Sequence, residues 1–327
     1  MDIQALSSKD RSLLPLGYHL ASLPVDVRVG KTLIYGAIFK CWEPVCTIAA
    51  LSSSRSVFLS PPSKREEARQ AQKTFHVRGS DHLTLLNVYR SFVKERDRRR
   101  FCAQHFLRHE TLISVRVMIK QFERAIRQLG IELSNENSHK LPMIKAALCA
   151  GLNVVKAVAP EQRYQHLQGT GNAIAIDPSA REIRFFCKGY DDEEDRNDSI
   201  PRQRVFMHPS SVNFQEGKFP YQYLIYQEKV KTSKIFLRST STLPPYALLL
   251  CWGSELEVKY DGENTMVEIS VEKWIRFETP ARVAAIVKEL RILLSELLRR
   301  KIANPRLNIG NSPLITAMSK LLMASGM

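Results

Sequence analysis

The chain has 327 residues, and its 48 Lys and Arg against 33 Asp and Glu leave a net charge of +15, with 44% hydrophobic residues. That length and balance allow two or three domains with real cores, and the basic excess favours a polyanion: RNA, DNA or an anionic membrane surface. No run approaches the roughly 18 apolar residues of a spanning helix, Met1 to Leu14 lacks a signal-peptide core, and the scattered Cys41, Cys46, Cys102, Cys149, Cys187 and Cys251 form no CxxC pair, which argues against secretion and a cysteine zinc site.

From Leu13 to Pro24 the sequence is apolar almost at once, so the chain is expected to begin inside a domain. Val29 to Ala50 reads as two buried helices joined by a turn at Glu43-Pro44. Ser52 to Lys64 reads as a loop, after which Ser63 and Glu66 form a capping box. Ser80-Asp81 caps a helix with Leu83, Leu86, Tyr89 and Val93 inward, and a basic connection, Arg96 to Arg100, follows. A short helix over about 101–108 precedes an amphipathic one, Val115 to Leu129, stopped by Gly130. Leu141 to Val158 is the last helix of this half.

The period then changes. Glu182–Cys187, Arg204–His208, Tyr223–Lys229, Ser233–Arg238, Tyr246–Cys251, Glu255–Tyr260 and Met266–Ser270 read as short strands. Asp261-Gly262 signals a turn, and Asp191 to Asp198 an acidic, solvated loop. Many short strands at close spacing suggest a small barrel. Thr279-Pro280 starts a closing helix, striped by Val283, Ile286, Val287, Leu290, Leu294, Leu297 and Leu298, and Asn304-Pro305 stops it before a weak final helix. The fold class is α+β.

Gly30-Lys31-Thr32 imitates a phosphate loop, but the required glycine five positions earlier is Val25, so the triplet reads as part of a buried helix. His105 and His109 stand four apart with no third ligand in view, and no nucleophile elbow occurs. What remains is charge. Arg90, Lys94, Arg96, Arg98, Arg99, Arg100, Arg108, Arg116, Lys120, Arg124 and Arg127 crowd the helical half, while Tyr226 to Lys234 places lysines and hydroxyls where two strands meet. Such patches neutralise phosphates and track a single strand, with aromatics as stacking surfaces; a solvated helix face explains the first patch equally well.

Several segments together resemble the C-terminal region of DEAH/DExH-box RNA helicases: Pro15 to Asp26 with Gly30 to Ala37, Ser80-Asp81-His82-Leu83, Tyr89, Phe101-Cys102, Phe106-Leu107, His208-Pro209-Ser210-Ser211-Val212 and Tyr226 to Lys234. The ordered match runs from about residue 13 to 300. It departs from the family at Phe101, where Trp is common, at His105, which replaces Asn, and at Cys251-Trp252-Gly253, which replaces Phe-Gly-Gly. The resemblance implies a winged-helix remnant and the start of a helicase-associated domain over 1–40, a helical ratchet over 41–158, an OB-fold barrel with its closing helix over 159–302, and a tail over 303–327.

It also implies that the RecA-like motor is missing from this chain, which would be a fragment or a truncated product. ATP and Mg would belong to that motor, so no cofactor and no turnover are expected here. RNA contacts would come from Arg98, Arg99, Arg100, His105 and Arg108 in the ratchet, and from Lys229, Lys231, Thr232, Ser233 and Lys234 in the barrel. The expected partner is single-stranded or structured RNA, with an activator or ribonucleoprotein besides and no membrane, in an intracellular setting, cytoplasm before nucleus. Two rivals stand: a docking module without RNA affinity, and an independent NTPase using Gly30-Lys31-Thr32.

Overall fold

The computed structural model describes residues 13–21, 23–161, 163–166, 173–189, 202–260, 265–304, 307–309 and 311–324. The acidic run Asp191 to Asp198 and the Asp261-Gly262 turn lie outside them. The helices of the first half are α1 (Pro15–Ala21), α2 (Val27–Ile38), α3 (Trp42–Ser52), α4 (Arg65–Lys73), α5 (Asp81–Lys94), α6 (Arg98–Gln104), α7 (His109–Gln128) and α8 (Leu141–Gly151). There follow β1 (Asn153–Val158), β2 (Arg163–His166), β3 (Ala173–Ile176), β4 (Arg184–Lys188), β5 (Arg202–Met207), β6 (Tyr223–Lys231) and β7 (Ile235–Thr242). The chain ends with α9 (Pro245–Cys251), β8 (Leu256–Lys259), β9 (Met266–Val271), β10 (Ile275–Pro280), α10 (Ala281–Ala303) and α11 (Pro313–Ala324).

The α+β class and the N-terminal helical region are as expected, and the chain divides into two units. One comprises 1–74, 85–152 and 243–327. Asp26 caps α2 by accepting from the Arg28 and Val29 amides, and Gly30-Lys31-Thr32 lies in that helix's buried middle. There Lys31 is fully enclosed, and burial together with the Arg291 charge lowers its pKa to about 7. Helix α8 packs closely on α2 because Gly151 has no side chain: a Cβ there would sit 2.2 Å from the Arg28 carbonyl oxygen. The α7 stripe buries Leu112, Val115, Phe122, Ala125 and Ile126, and Gly130, at φ 68°, ends the helix as its sequence predicts.

Local competition displaced several predicted elements. The turn between α2 and α3 falls at Phe39-Lys40-Cys41, with Lys40 at φ 55°, while Pro44 sits inside the first turn of α3 where its missing N–H costs nothing. Ser63 lies in a single 3-10 turn, and α4 starts after Lys64 without a side-chain cap. Leu141 to Val158 is a helix and then a strand, the change falling after Gly151. Tyr246–Cys251, apolar enough for a strand, is helical, with Pro245 in its first turn. Arg291 of α10 donates to the carbonyls of Leu249 in the last turn of that helix and of Trp252, Gly253 and Ser254 just beyond it, satisfying the end it would otherwise leave open. Thr279 belongs to β10 rather than capping α10. Residues 243–302, grouped with the barrel from sequence, fall in the helical unit, where β10, β9 and β8 form an antiparallel sheet.

The second unit comprises 75–84 and 153–242. Five of its strands close into a barrel in the order β1-β4-β5-β7-β6, antiparallel except for β5 beside β7, while β2 and β3 pair in a separate antiparallel sheet. This is the five-stranded OB topology. Alternation places Val155, Phe185, Cys187, Val205, Met207, Leu224, Tyr226 and Leu237 inside. The segment 75–84 belongs here because Ser80-Asp81-His82 meets the His208-to-Val212 stretch: the Asp81 carboxylate accepts from the Val212 amide (2.8 Å), the Thr240 amide (2.7 Å) and the Ser211 hydroxyl (2.6 Å). Ser80 caps α5 through the Leu83 amide, and its hydroxyl also meets that of Ser241 at 2.6 Å.

Candidate nucleic-acid interface

In the helical unit the predicted RNA-binding residues sit around a break between helices. Asp97 caps α6 by accepting from the Arg100 amide, so Arg98, Arg99 and Arg100 occupy the first turn of that helix instead of a loop. Helix α6 ends at Gln104, so His105 and Arg108 do not share a helix as predicted, and neither do His105 and His109. The intervening turn, with Phe106 at φ 52°, is tied to the strand-like segment 57–59: the Leu59 amide donates to the Phe106 carbonyl and the Arg108 amide to the Val57 carbonyl, both at 2.8 Å. Gln72 of α4 donates to the Leu59 and Phe106 carbonyls and locks the pair.

This scaffold distributes the cations unequally. Arg98 is half-buried, donates to the Val93 carbonyl and lies 5.5 Å from the Phe92 ring centre, so it closes the end of α5. His105 is half-buried against Phe101, with ring centres 4.7 Å apart. Arg99, Arg100 and Arg108 are exposed, and among the described residues no ion pair holds them. These three are the solvent-facing cations of the predicted ratchet set.

In the barrel unit Lys231, Thr232, Ser233 and Lys234 form the exposed tip of the β6–β7 hairpin, closed by a Thr232 amide bond to the Lys234 carbonyl at 2.9 Å. Lys229 is set apart from them: it is half-buried, and its ammonium donates to Gln203 at 3.1 Å on the barrel wall. A cavity of this unit, about 710 Å³, lies elsewhere and pairs Lys156 and Lys218 with Glu161, Asp177 and Glu182. That balance of charge does not suit a polyanion.

Sequence reading missed one group altogether. On the outward face, the Arg204 guanidinium of β5 lies 5.3 Å from the Phe186 ring centre on β4 and 5.1 Å from that of Phe206. The Lys234 ammonium stands 4.6 Å over Phe206, whose ring centre is 6.2 Å from that of Phe236 on β7. His208 continues the row, 5.9 Å from Phe236, with its pKa lowered by burial and by Arg238. The signal was present as alternation: Val205 and Met207 point inward, leaving Arg204, Phe206 and His208 outward. Only strand pairing brings Phe186 and Phe236 beside them.

Family comparison agrees with these segments. Residues 26–85 match the ratchet-like helicase-associated domain (HA2), 144–254 the oligonucleotide/oligosaccharide-binding (OB)-fold, and 268–324 the C-terminal domain in RNA helicases. The chain belongs to the C-terminal region of the DEAH/DExH-box RNA helicases. It is 36% identical over 345 residues to the human RNA helicase DHX57, covering 95% of this chain and 24% of that protein. It is 30% identical over 336 residues to the mouse ATP-dependent RNA helicase DHX29, covering 98% of this chain and 22% of the relative. With the bovine ATP-dependent DNA/RNA helicase DHX36 it shares 33% over 320 residues, covering 93% and 29%. The chain thus spans about a quarter of the length of these helicases. Among the described residues no helix is long and apolar enough to cross a membrane.

Proposed function

We propose that this helicase region holds single-stranded RNA for an ATP-driven motor that the chain itself does not carry. The observation behind this reading is the exposed hairpin tip, Lys231 to Lys234, projecting from an OB barrel. Arg99, Arg100 and Arg108 supply a second set of cations from the ratchet segment. Contacts of this type go to phosphates, so they set the path of the strand without reading its sequence. ATP and Mg belong, on this reading, to the longer helicases, and the setting is intracellular.

Filter binding of the chain to a single-stranded RNA, at stepped salt concentrations, tests it. Affinity is expected to fall steeply with salt, and the double variant Lys231→Glu, Lys234→Glu to bind about tenfold or more weakly, since two phosphate contacts become repulsions. Binding indifferent to salt, or unchanged in the variant, overturns the reading. The rival docking module draws on Ile286 and Leu293, exposed at 53% and 42% on α10. It predicts a stable protein complex in a pull-down with negligible RNA affinity.

A further inference from the structure

We propose that Ser233, at the apex of the β6–β7 hairpin, accepts a phosphoryl group from a protein kinase that recognises basic segments, and that this phosphate takes Lys231 and Lys234 away from RNA. The inference rests on the proposed binding of single-stranded RNA and names a regulation of that same site.

Lys231, Thr232, Ser233 and Lys234 are all exposed. The Thr232 hydroxyl turns back on the Lys234 carbonyl at 3.4 Å, whereas the Ser233 hydroxyl has no hydrogen bond among the described residues. A kinase takes its acceptor from an extended stretch of chain, and here both flanks are already strands. The ladder ends at the pair Lys231 and Ile235, and beyond it the tip is closed by the 2.9 Å bond from the Thr232 amide to the Lys234 carbonyl. Opening the tip breaks little and leaves Tyr226 and Leu237 of the barrel core in place. Lys229 and Lys231 stand four and two positions before the acceptor and Lys234 follows it, with no Asp or Glu from residue 229 to 254. An acidic substrate cleft selects such a segment by charge complementarity.

The transfer forms a bond from Ser233 Oγ to the γ-phosphorus of ATP while the bond to the bridging oxygen breaks. ADP leaves, and the hydroxyl proton passes to the catalytic aspartate of the kinase. The new group carries about −1.5 to −2 charges at pH 7, set among Lys229, Lys231 and Lys234. Flexible lysine stems bring their ammonium groups to its oxygens in charge-assisted hydrogen bonds. Those bonds are the ones an RNA phosphate would otherwise receive, and the added negative charge repels the strand. Nothing already present does this: the ion pair of these two strands, Arg238 with Glu228 at 3.5 Å, lies further along the ladder and engages neither Lys231 nor Lys234. The switch is therefore electrostatic and needs no change in the barrel.

The experiment incubates the whole chain with ATP, Mg and the catalytic domain of protein kinase C or the catalytic subunit of cyclic-AMP-dependent protein kinase, and maps the phosphate by tandem mass spectrometry. Treated and untreated chains then bind a fluorescent uridine oligomer of about 12 nucleotides, a length one OB fold can span, read by anisotropy at stepped salt. Phosphate is expected on Ser233, with affinity about tenfold or more lower and a salt slope flatter by about 1.4, the share of two phosphate contacts. In Ser233→Ala, treated and untreated samples are expected to bind alike, and a thermal melt by circular dichroism verifies that the variant is folded. No phosphate on Ser233 from either kinase overturns the proposal. So does complete modification of Ser233 with unchanged RNA affinity, or an equal loss on treating Ser233→Ala; both leave RNA binding in place. An untreated chain that does not bind the oligomer removes the RNA-binding reading and the switch with it. Should the variant unfold, site mapping and affinity on the native chain still decide.

Discussion

Asp81 and His82 are neighbours in the helicase-associated segment, and burial drives both toward their neutral forms. The Asp81 pKa is raised by desolvation, against the pull of the donors from Ser211, Thr240 and Val212. The His82 pKa falls from 6.5 to about 4, with desolvation again the cause, and its Nδ1 shares a 2.7 Å hydrogen bond with the Ser241 hydroxyl. Because the folded pKa of His82 lies below the unfolded one, its contribution is complete above pH 6.5 and is lost as pH falls through about 4. The loss is about 3 kcal/mol at the bottom of that window. Asp81 works in the opposite sense, its raised pKa making stability fall as pH rises above 3.8. Urea midpoints of the native chain and of His82→Gln, measured from pH 7 to pH 4, therefore separate the two. The native chain should lose stability more steeply, and parallel curves would rule out a titrating His82.

At the scale of elements, the contact between α2 and α8 depends on an absent side chain. Replacing glycine by alanine within a helix usually stabilises by up to about 1 kcal/mol. At Gly151 the sign should reverse, because the added carbon would lie 2.2 Å from both the Arg28 carbonyl oxygen and Thr32 Oγ1. Gly151→Ala is expected to destabilise by about 1–3 kcal/mol, read as a lower urea midpoint. A midpoint equal to or above the native value would mean that the two helices have room to part. The ratchet turn illustrates the same dependence on a distant partner. His105 and Arg108 looked helical in sequence, yet the bonds from Val57, Leu59 and Gln72 hold their backbone in a turn and leave Arg108 exposed.

For the whole molecule, the charge of +15 becomes a quantity that salt can read. Arg99, Arg100, Arg108, Lys231 and Lys234 are the exposed cations among the predicted contacts. If all five meet phosphates, the slope of log affinity against log salt should be near −3.5, from about −0.7 per contact on a single strand. Lys231→Glu with Lys234→Glu should flatten it by about 1.4. A native slope close to zero would mean that the surplus charge serves solubility alone.

The amino-acid sequence by itself determined the helical first half, the barrel, the placing of Gly30-Lys31-Thr32 within a buried helix and the kinship with the helicases, since apolar period and ordered short motifs are local properties. Its reading of Tyr246–Cys251 as a strand failed for the same reason: a short apolar run suits a buried helix as well as a strand, and here the Arg291 fork on the carbonyls at and just beyond its end accompanies the helix. Among the predicted contacts it could not separate the engaged Arg98 and Lys229 from the exposed Arg99 and Lys231, because their partners Val93, Phe92 and Gln203 are chosen by packing. The aromatic face was decided by tertiary structure alone: Phe186, Phe206 and Phe236 are spread over 51 positions of sequence and become neighbours only when β4, β5 and β7 pair.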